Sequence, residues 1–206
     1  MATTGQAVTP AASTGERRYG AVSISLHWLI AALVVTQVGL GWYMNEVLPD
    51  HSPAQDRIQD LHISVGLTVL LLVLARIAVR LSHPIPPLAA DTPMWERVLA
   101  RGTHLLFYLL LLVLPLTGWA IVSAHKGPIS FWGLPWPHLP GLGFLSAPDA
   151  KPLRRSLTHF HVYILIWIVV VTLALHVAGA LKHQFDGRPV LWKMIPLLRP
   201  KPRPGA

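Results

Sequence analysis

Cysteine is absent from this chain of 206 residues, and acidic residues are scarce, nine in all. Without thiols the chain cannot form disulfides, iron–sulfur clusters, thiolate zinc sites or the thioether links of a c-type haem. A metal would therefore be held by histidine or carboxylate side chains. Charged residues make up only 13% of the sequence, whereas hydrophobic residues make up 52%. This balance excludes an ordinary soluble domain.

Long apolar runs account for the hydrophobic excess and give a mean hydropathy of +0.49. A bilayer core of about 30 Å is crossed by roughly 20 helical residues. Four runs are long enough to do so, at about residues 21–44, 59–81, 98–123 and 156–182. We therefore predict an all-α membrane protein, a four-transmembrane-helix bundle surrounded by the lipid bilayer.

Positive charge is concentrated on one side of these spans. Of the 17 Lys and Arg residues, twelve lie on the side that holds both termini and the 82–96 loop, and five lie on the side of the two longer loops. Because Lys and Arg are retained on the cytoplasmic side, we expect both termini in the cytoplasm. The net charge of +8 then reflects membrane orientation, and no nucleic-acid partner is expected.

Composition divides the chain into three regions. Residues 1–16 are predicted to be a disordered cytoplasmic N-terminus. They lack the short apolar core of a cleavable signal, so we expect the first span to be an uncleaved anchor. Residues 17–198 form the predicted transmembrane domain, and residues 199–206 a basic cytoplasmic tail. Within the domain, the Pro- and Trp-rich segment 125–151 is expected to form an irregular cap at the outer interface.

Eleven histidines are present, and several lie inside or at the ends of the apolar spans: His27, His62, His104, His161 and His176, with His159 and His183 near helix ends. A polar group in a membrane span is costly and normally has a partner. A single buried histidine more often makes a hydrogen bond between helices than a metal bond. Histidines that lie in pairs at the same depth in the membrane favour metal binding over this structural role.

His27 and His176 each lie about two turns from the cytoplasmic end of a span, and His62 and His161 each lie near the outer end. Along the fourth span, His161 and His176 are separated by roughly 22 Å and by about 60° of rotation, so both face the bundle interior. His159 in place of His161 gives about 100° and is the poorer partner. A bis-histidine haem b requires one pair of opposed imidazoles, so two such pairs at two depths would hold two haems. A zinc site instead gathers its ligands around one ion.

Two further features accompany these levels. Gly66 and Gly179 follow His62 and His176 by about one turn and would leave room for a flat porphyrin, although glycine is also common in membrane helices for packing alone. Arg76 lies about 40° from the direction of His62 at the cytoplasmic level. It would either contact haem propionates or extend toward the membrane surface.

Five segments together resemble the bacterial cytochrome b561 family of four-helix di-haem membrane proteins: SLHWLIA (25–31), DLHISVGLTVLLLVLARIAVRL (60–81), GTHLLFYLLLLVLPLTGWAI (102–121), GPISFWGL (127–134) and LHVAGALKHQF (175–185). The resemblance covers the chain from about Arg17 to Leu198. It implies two haem b groups with four iron ligands, His27, His62, His161 and His176.

One departure from the family pattern concerns the fourth span. Family members usually separate the two fourth-span ligands by one residue fewer than His161 and His176, which changes the offset from about −40° to about +60°. We predict a one-residue π-bulge within 164–172 that would restore the facing arrangement. The choice between His161 and His159 as the outer ligand stays open.

The resemblance also implies an oxidoreductase of the bacterial inner membrane that moves single electrons between the quinone pool and the outside. Its most concrete form oxidises superoxide to dioxygen and reduces ubiquinone. His183 and Lys182 are then candidates for quinone contact, and His104 for either a structural hydrogen bond or a propionate or quinone contact. Arg154 and Arg155 form either a positive rim for superoxide or an ordinary charge pair at a helix start.

Two other functions are consistent with the same residues. A haem-b anchor subunit would pass electrons between quinone and a soluble dehydrogenase or hydrogenase docked on the outer loops, in particular on 125–151. A transporter for metal ions or protons would also place histidines in the membrane, but it would carry no visible chromophore.

Overall fold

The computed structural model describes residues 19–83, 92–125, 127–186 and 190–198. The predicted N-terminal region 1–16 and tail 199–206 lie outside the described residues. The described chain is mostly helical, and four helical stretches are long and apolar enough to cross a membrane. The prediction of four spans is confirmed.

The first three spans are single helices: α1 is Ala21–Glu46, α2 is Pro53–Ser82 and α3 is Met94–Ser123. The fourth span is a continuous helix that consists of α4 (Lys151–His159), a π-helical turn (Phe160–Leu165) and α5 (Ile166–Phe185). A π-helical turn adds about one residue to a helix. The predicted distortion is therefore present, although it begins before the predicted range 164–172.

The helices α2 and α3 begin earlier than the hydropathy predicts. Ser52 caps α2, because its side-chain hydroxyl accepts a hydrogen bond from the backbone N–H of Gln55 at 3.2 Å. Pro53 occupies the first helical turn. Pro93 stands at the N-cap of α3, and the backbone N–H of Arg97 donates to its carbonyl oxygen at 3.1 Å. Polar residues at these ends extend the helices beyond their apolar parts.

Two apolar clusters hold the spans together. Ile30 of α1 packs with Val69 and Val73 of α2 in the first cluster. Leu110 of α3 packs with Leu165 and Val169 of the fourth span in the second. Many other large apolar side chains are exposed, as is expected for helices that face lipid.

The outer cap is more regular than the sequence predicts. Strands β1 (Ile129–Phe131) and β2 (Leu134–Trp136) form an antiparallel hairpin. Its two turn residues, Trp132 and Gly133, have φ angles of 52° and 83°, as in a type I′ turn. Trp132 binds the hairpin to α2, because its amide N–H donates to Ser64 Oγ and its indole N–H donates to Thr68 Oγ1, both at 3.0 Å. The expectation of an entirely irregular cap is wrong.

Candidate functional site

His62 and His161 face each other in the outer half of the bundle. Their ring centroids are 6.4 Å apart and their planes are inclined at 82°. His159 is exposed and packs against Tyr163 instead, at a centroid distance of 5.0 Å. The structure therefore brings His161, and not His159, opposite His62.

The His161 ring is held by α3. Thr117 Oγ1 lies 2.8 Å from His161 Nδ1, and the same hydroxyl donates to the Leu114 carbonyl oxygen at 2.8 Å. Gly118 lies against the ring, since a Cβ atom at this position would be 3.2 Å from His161 Cε1. His161 itself is the second residue of the π-helical turn.

Gln37 and two glycines shape the other side of the outer level. Gln37 Nε2 donates to the His62 carbonyl oxygen at 2.8 Å. A Cβ at Gly66 would clash with Gln37 Nε2 at 2.9 Å, and a Cβ at Gly41 would contact His62 Cε1 at 3.4 Å. Because Gly66 has no side chain, the Gln37 side chain of α1 can lie against the α2 backbone at this position.

A cavity of about 580 Å³ lies at this level, and its lining includes both rings of the pair. It is bordered by α1, α2, α3 and the fourth span, and most of its lining is apolar: Val34, Val38, Val69, Leu111, Leu114, Val162, Ile166, Val169 and Val170 are among its residues. Its volume is within the range of roughly 300–1,000 Å³ typical of small-molecule and cofactor sites.

His27 and His176 face each other at the inner level. Their ring centroids are 6.3 Å apart and their planes are inclined at 68°. His104 and Phe107 of α3 also contact the His176 ring, with centroid distances of 5.5 and 5.3 Å. His104 Nδ1 donates to the Ala100 carbonyl oxygen of its own helix at 2.6 Å. Three imidazoles, those of His27, His104 and His176, thus lie together at this level.

Arg76 is half-buried at the same end of the bundle. Its Nη1 donates to the Ser23 carbonyl oxygen at 2.8 Å, which connects α2 to the first turn of α1. Gly179, in contrast, faces open space, with no atom within 4 Å of a built Cβ. The expectation that Gly179 leaves room for a porphyrin next to His176 stays a prediction.

Beyond the inner pair, Lys182 and His183 converge on Glu96. Lys182 Nζ lies 3.0 Å from Glu96 Oε1 and 2.7 Å from Asp186 Oδ2. His183 Nδ1 lies 3.9 Å from Glu96 Oε2. Glu96 is buried, with 6% of its side chain exposed, whereas half of Lys182 is exposed. This cluster of Glu96, Lys182, His183 and Asp186 is called the Glu96 cluster below.

At the opposite end, Arg154 and Arg155 differ from each other. The Arg154 guanidinium donates to the carbonyl oxygens of Leu145 and Ala147 and so anchors the cap to α4. Arg155 is exposed beside an open groove that it shares with His159. Of the two arginines, Arg154 acts as a structural anchor.

Residues 18–197 match the family described as prokaryotic cytochrome b561. The chain belongs to the prokaryotic cytochrome b561 family. It is 34% identical to cytochrome b561 homolog 2 of Escherichia coli K12, over 82% of this chain and 85% of that protein. It is 28% identical to the probable superoxide oxidase CybB of Yersinia pestis, over 82% and 90% of the two chains.

As a cytochrome b561, the chain is a membrane haem protein of electron transport, and its two imidazole pairs fit haem iron. Two metal–nitrogen bonds of about 2 Å each, with the distance from each nitrogen to its ring centre added, place the two ring centroids about 6 Å apart. The observed distances of 6.3 and 6.4 Å agree with this value. Apolar walls around the outer pair suit a porphyrin face.

Sequence reasoning missed four residues of this cytochrome b561 site: Gln37, Glu96, Thr117 and Gly118. Gln37 and Thr117 are polar residues within apolar spans, which is a signal of function or of a helix contact. The helical spacing of α3 alone does not reveal that Gly118 lies next to His161. Glu96 precedes the predicted third span, and an acidic residue outside the apolar core is not by itself a signal of a site.

Proposed function

We propose that this cytochrome b561 holds two haem b groups, one between His62 and His161 and one between His27 and His176, and carries electrons across the bacterial inner membrane. The observation that carries the proposal is the presence of two opposed imidazole pairs, 6.3 and 6.4 Å apart, at two levels of one bundle. Along the fourth span the two levels are roughly 22 Å apart.

Haem iron bound at these positions would supply one-electron oxidation and reduction. The protein residues fix the axial nitrogens and surround them with apolar side chains. The His27 ring, 6.3 Å from His176, fits the separation of two axial ligands better than the His104 ring at 5.5 Å, so we assign His104 a structural role. Arg76 keeps N–H groups besides the one given to Ser23, and it is our candidate cation for propionates at the inner level.

Ubiquinone is the proposed electron acceptor, and the Glu96 cluster is its proposed binding region. Reduction of a quinone to a quinol needs two electrons and two protons. Lys182 and His183 can donate hydrogen bonds to a quinone carbonyl oxygen, and the buried carboxylate of Glu96 holds both side chains close together. The cluster lies near the end of α5, where the charge pattern predicts the cytoplasmic side.

Superoxide is the proposed electron donor, at the opposite face. Two superoxide anions each give up one electron and leave as dioxygen, which balances the two electrons that one ubiquinone accepts. Arg155 is an exposed cation in this region, and a positive rim attracts anions. The relative named as a probable superoxide oxidase supports this choice of donor.

The direct test uses membrane vesicles of both orientations with superoxide generated enzymatically in the medium. Superoxide is an anion and crosses bilayers poorly. We expect haem reduction followed by ubiquinone reduction in right-side-out vesicles, and little of either in inverted vesicles. Equal rates in both orientations would contradict the proposed topology, and no reduction in either would contradict superoxide as the donor.

A second candidate function is a haem-b anchor subunit for a soluble dehydrogenase or hydrogenase. The feature that favours it is the set of large exposed apolar side chains on the outer cap, Trp132, Leu134 and Phe144. Such a subunit would reduce quinone only when its partner is bound. Purified protein that reduces ubiquinone with superoxide alone would contradict this second function.

A further inference from the structure

Thr117 is placed to decide which nitrogen of His161 carries the proton. Its hydroxyl oxygen lies 2.8 Å from both His161 Nδ1 and the Leu114 carbonyl oxygen. A hydroxyl has one hydrogen, and a carbonyl oxygen can only accept. Because the hydroxyl hydrogen goes to Leu114, the contact with His161 is a hydrogen bond only if Nδ1–H is the donor.

Neutral histidine with a proton on Nδ1 has its lone pair on Nε2. The opposite tautomer would leave Nε2 protonated and unable to bind a metal. Histidine ligands typically donate the second ring N–H to an acceptor, which fixes the tautomer and raises the basicity of the ligating nitrogen. The Thr117 hydroxyl is such an acceptor, and it lies on α3, which carries none of the four proposed ligands.

Gly118 complements this contact. A Cβ at Gly118 would lie 3.2 Å from His161 Cε1 and 3.7 Å from Nε2. Contacts this short require the ring to shift by a few tenths of an ångström. The absence of a side chain at Gly118 thus allows the ring to reach the Thr117 hydroxyl.

We propose that Thr117 and Gly118 together are positioning residues for the outer haem: Thr117 holds His161 as the Nδ1–H tautomer, and Gly118 leaves the space in which that ring lies. This inference rests on the proposed function, because it requires His161 to be an iron ligand. A donated Nδ1–H makes the ligand more basic, which stabilises ferric iron and lowers the midpoint potential of the outer haem.

The test compares Thr117→Val, which keeps the shape and removes the hydroxyl, with Thr117→Ser, which keeps the hydroxyl. Haem per chain, the midpoint potential of each haem and the low-spin ferric electron paramagnetic resonance spectrum are measured on purified protein. The component that His62→Ala removes identifies the outer haem. In Thr117→Val we expect a higher outer midpoint potential, a changed outer signal and about 10- to 100-fold weaker outer-haem retention, with the inner haem unchanged.

Thr117→Ser should restore wild-type values. Thr36→Val is the matched control, because Thr36 makes a similar hydroxyl bond to Ala32 on an exposed part of α1, and it should change neither haem. An unchanged outer haem in Thr117→Val, or equal changes in both haems, would overturn the inference.

If Thr117→Val does not accumulate in membranes, Gly118→Ala decides the question. It retains the hydroxyl but displaces the ring, so we expect a shifted outer signal with the inner signal intact, and an unchanged outer signal would overturn the inference. Failure of the proposed function is seen separately, because wild-type protein would then lack two haems. Two wild-type haems with an unaffected Thr117→Val variant would reject the positioning role alone.

Discussion

His176 contacts two other imidazoles, but the two contacts differ in kind. The His27 ring lies at 6.3 Å, close to the separation expected for two axial ligands. The His104 ring lies at 5.5 Å, and its Nδ1–H is donated to Ala100 within the same helix. The ring separation therefore favours His27 as the ligand opposite His176 and His104 as a structural partner, whereas an Nδ1–H bond is shared by the proposed ligand His161.

We therefore expect His176→Ala to lose the inner haem and to abolish ubiquinone reduction, whereas His104→Ala should retain both haems. Haem per chain and the reduced-minus-oxidised spectrum of purified variants measure this directly. Two haems in His176→Ala would contradict the ligand assignment, and loss of a haem in His104→Ala would favour His104 in place of His27 as the ligand opposite His176.

The proposed role of Glu96 in ubiquinone reduction can be tested by a single substitution. Glu96→Gln keeps the size of the side chain but removes the charge that holds Lys182 and His183, so we expect ubiquinone reduction to fall by about tenfold or more. Haem content should stay unchanged. Asp56→Asn is the control, since Asp56 is an exposed acid in the first turn of α2, at the opposite end of the bundle from Glu96. A wild-type rate in Glu96→Gln would exclude Glu96 from quinone reduction.

At the scale of helices, hydropathy and spacing predict the four spans and the two histidine pairs because membrane length and helical rotation are simple constraints. The hairpin at 129–136 was not predictable in this way. It depends on two left-handed turn residues and on hydrogen bonds to Ser64 and Thr68, which are distant in sequence. Similarly, the Thr117 contact with His161 joins two spans whose relative rotation no local pattern supplies.

The π-helical turn at Phe160–Leu165 gives a prediction about an element. In a regular α-helix, one extra residue between His161 and His176 would change the angular offset of the two rings by about 100°, from about −40° to about +60°, and the turn absorbs this change. Deleting Val162 should convert the turn to a regular α-helix and preserve both haems. Inserting one alanine after Val170 should displace one ligand and lower the haem content.

The measurement is haem per chain in the deletion and the insertion variants, with thermal stability as a check of folding. Loss of the outer haem in the Val162 deletion would show that the turn itself is required. Two haems in the insertion variant would show that the fourth span adjusts its register freely.

At the scale of the whole molecule, the charge distribution and the positions of the proposed sites predict one direction of electron transfer, from the outer end of the bundle to the cytoplasmic end. The side rich in Lys and Arg carries the Glu96 cluster, and the opposite side carries the outer cap with Arg155. From the charge distribution we expect the proposed quinone end in the cytoplasm and the proposed superoxide end outside. The two histidine levels lie between these ends and would bridge them for electron transfer.

Haem stoichiometry tests the central claim most directly. The protein is purified in detergent, its reduced-minus-oxidised visible spectrum is recorded, and haem b is quantified against protein as the pyridine haemochrome. We expect two haem b groups per chain, one for each imidazole pair. A single haem would contradict one of the pairs, and a colourless protein would contradict the proposed electron-transfer function.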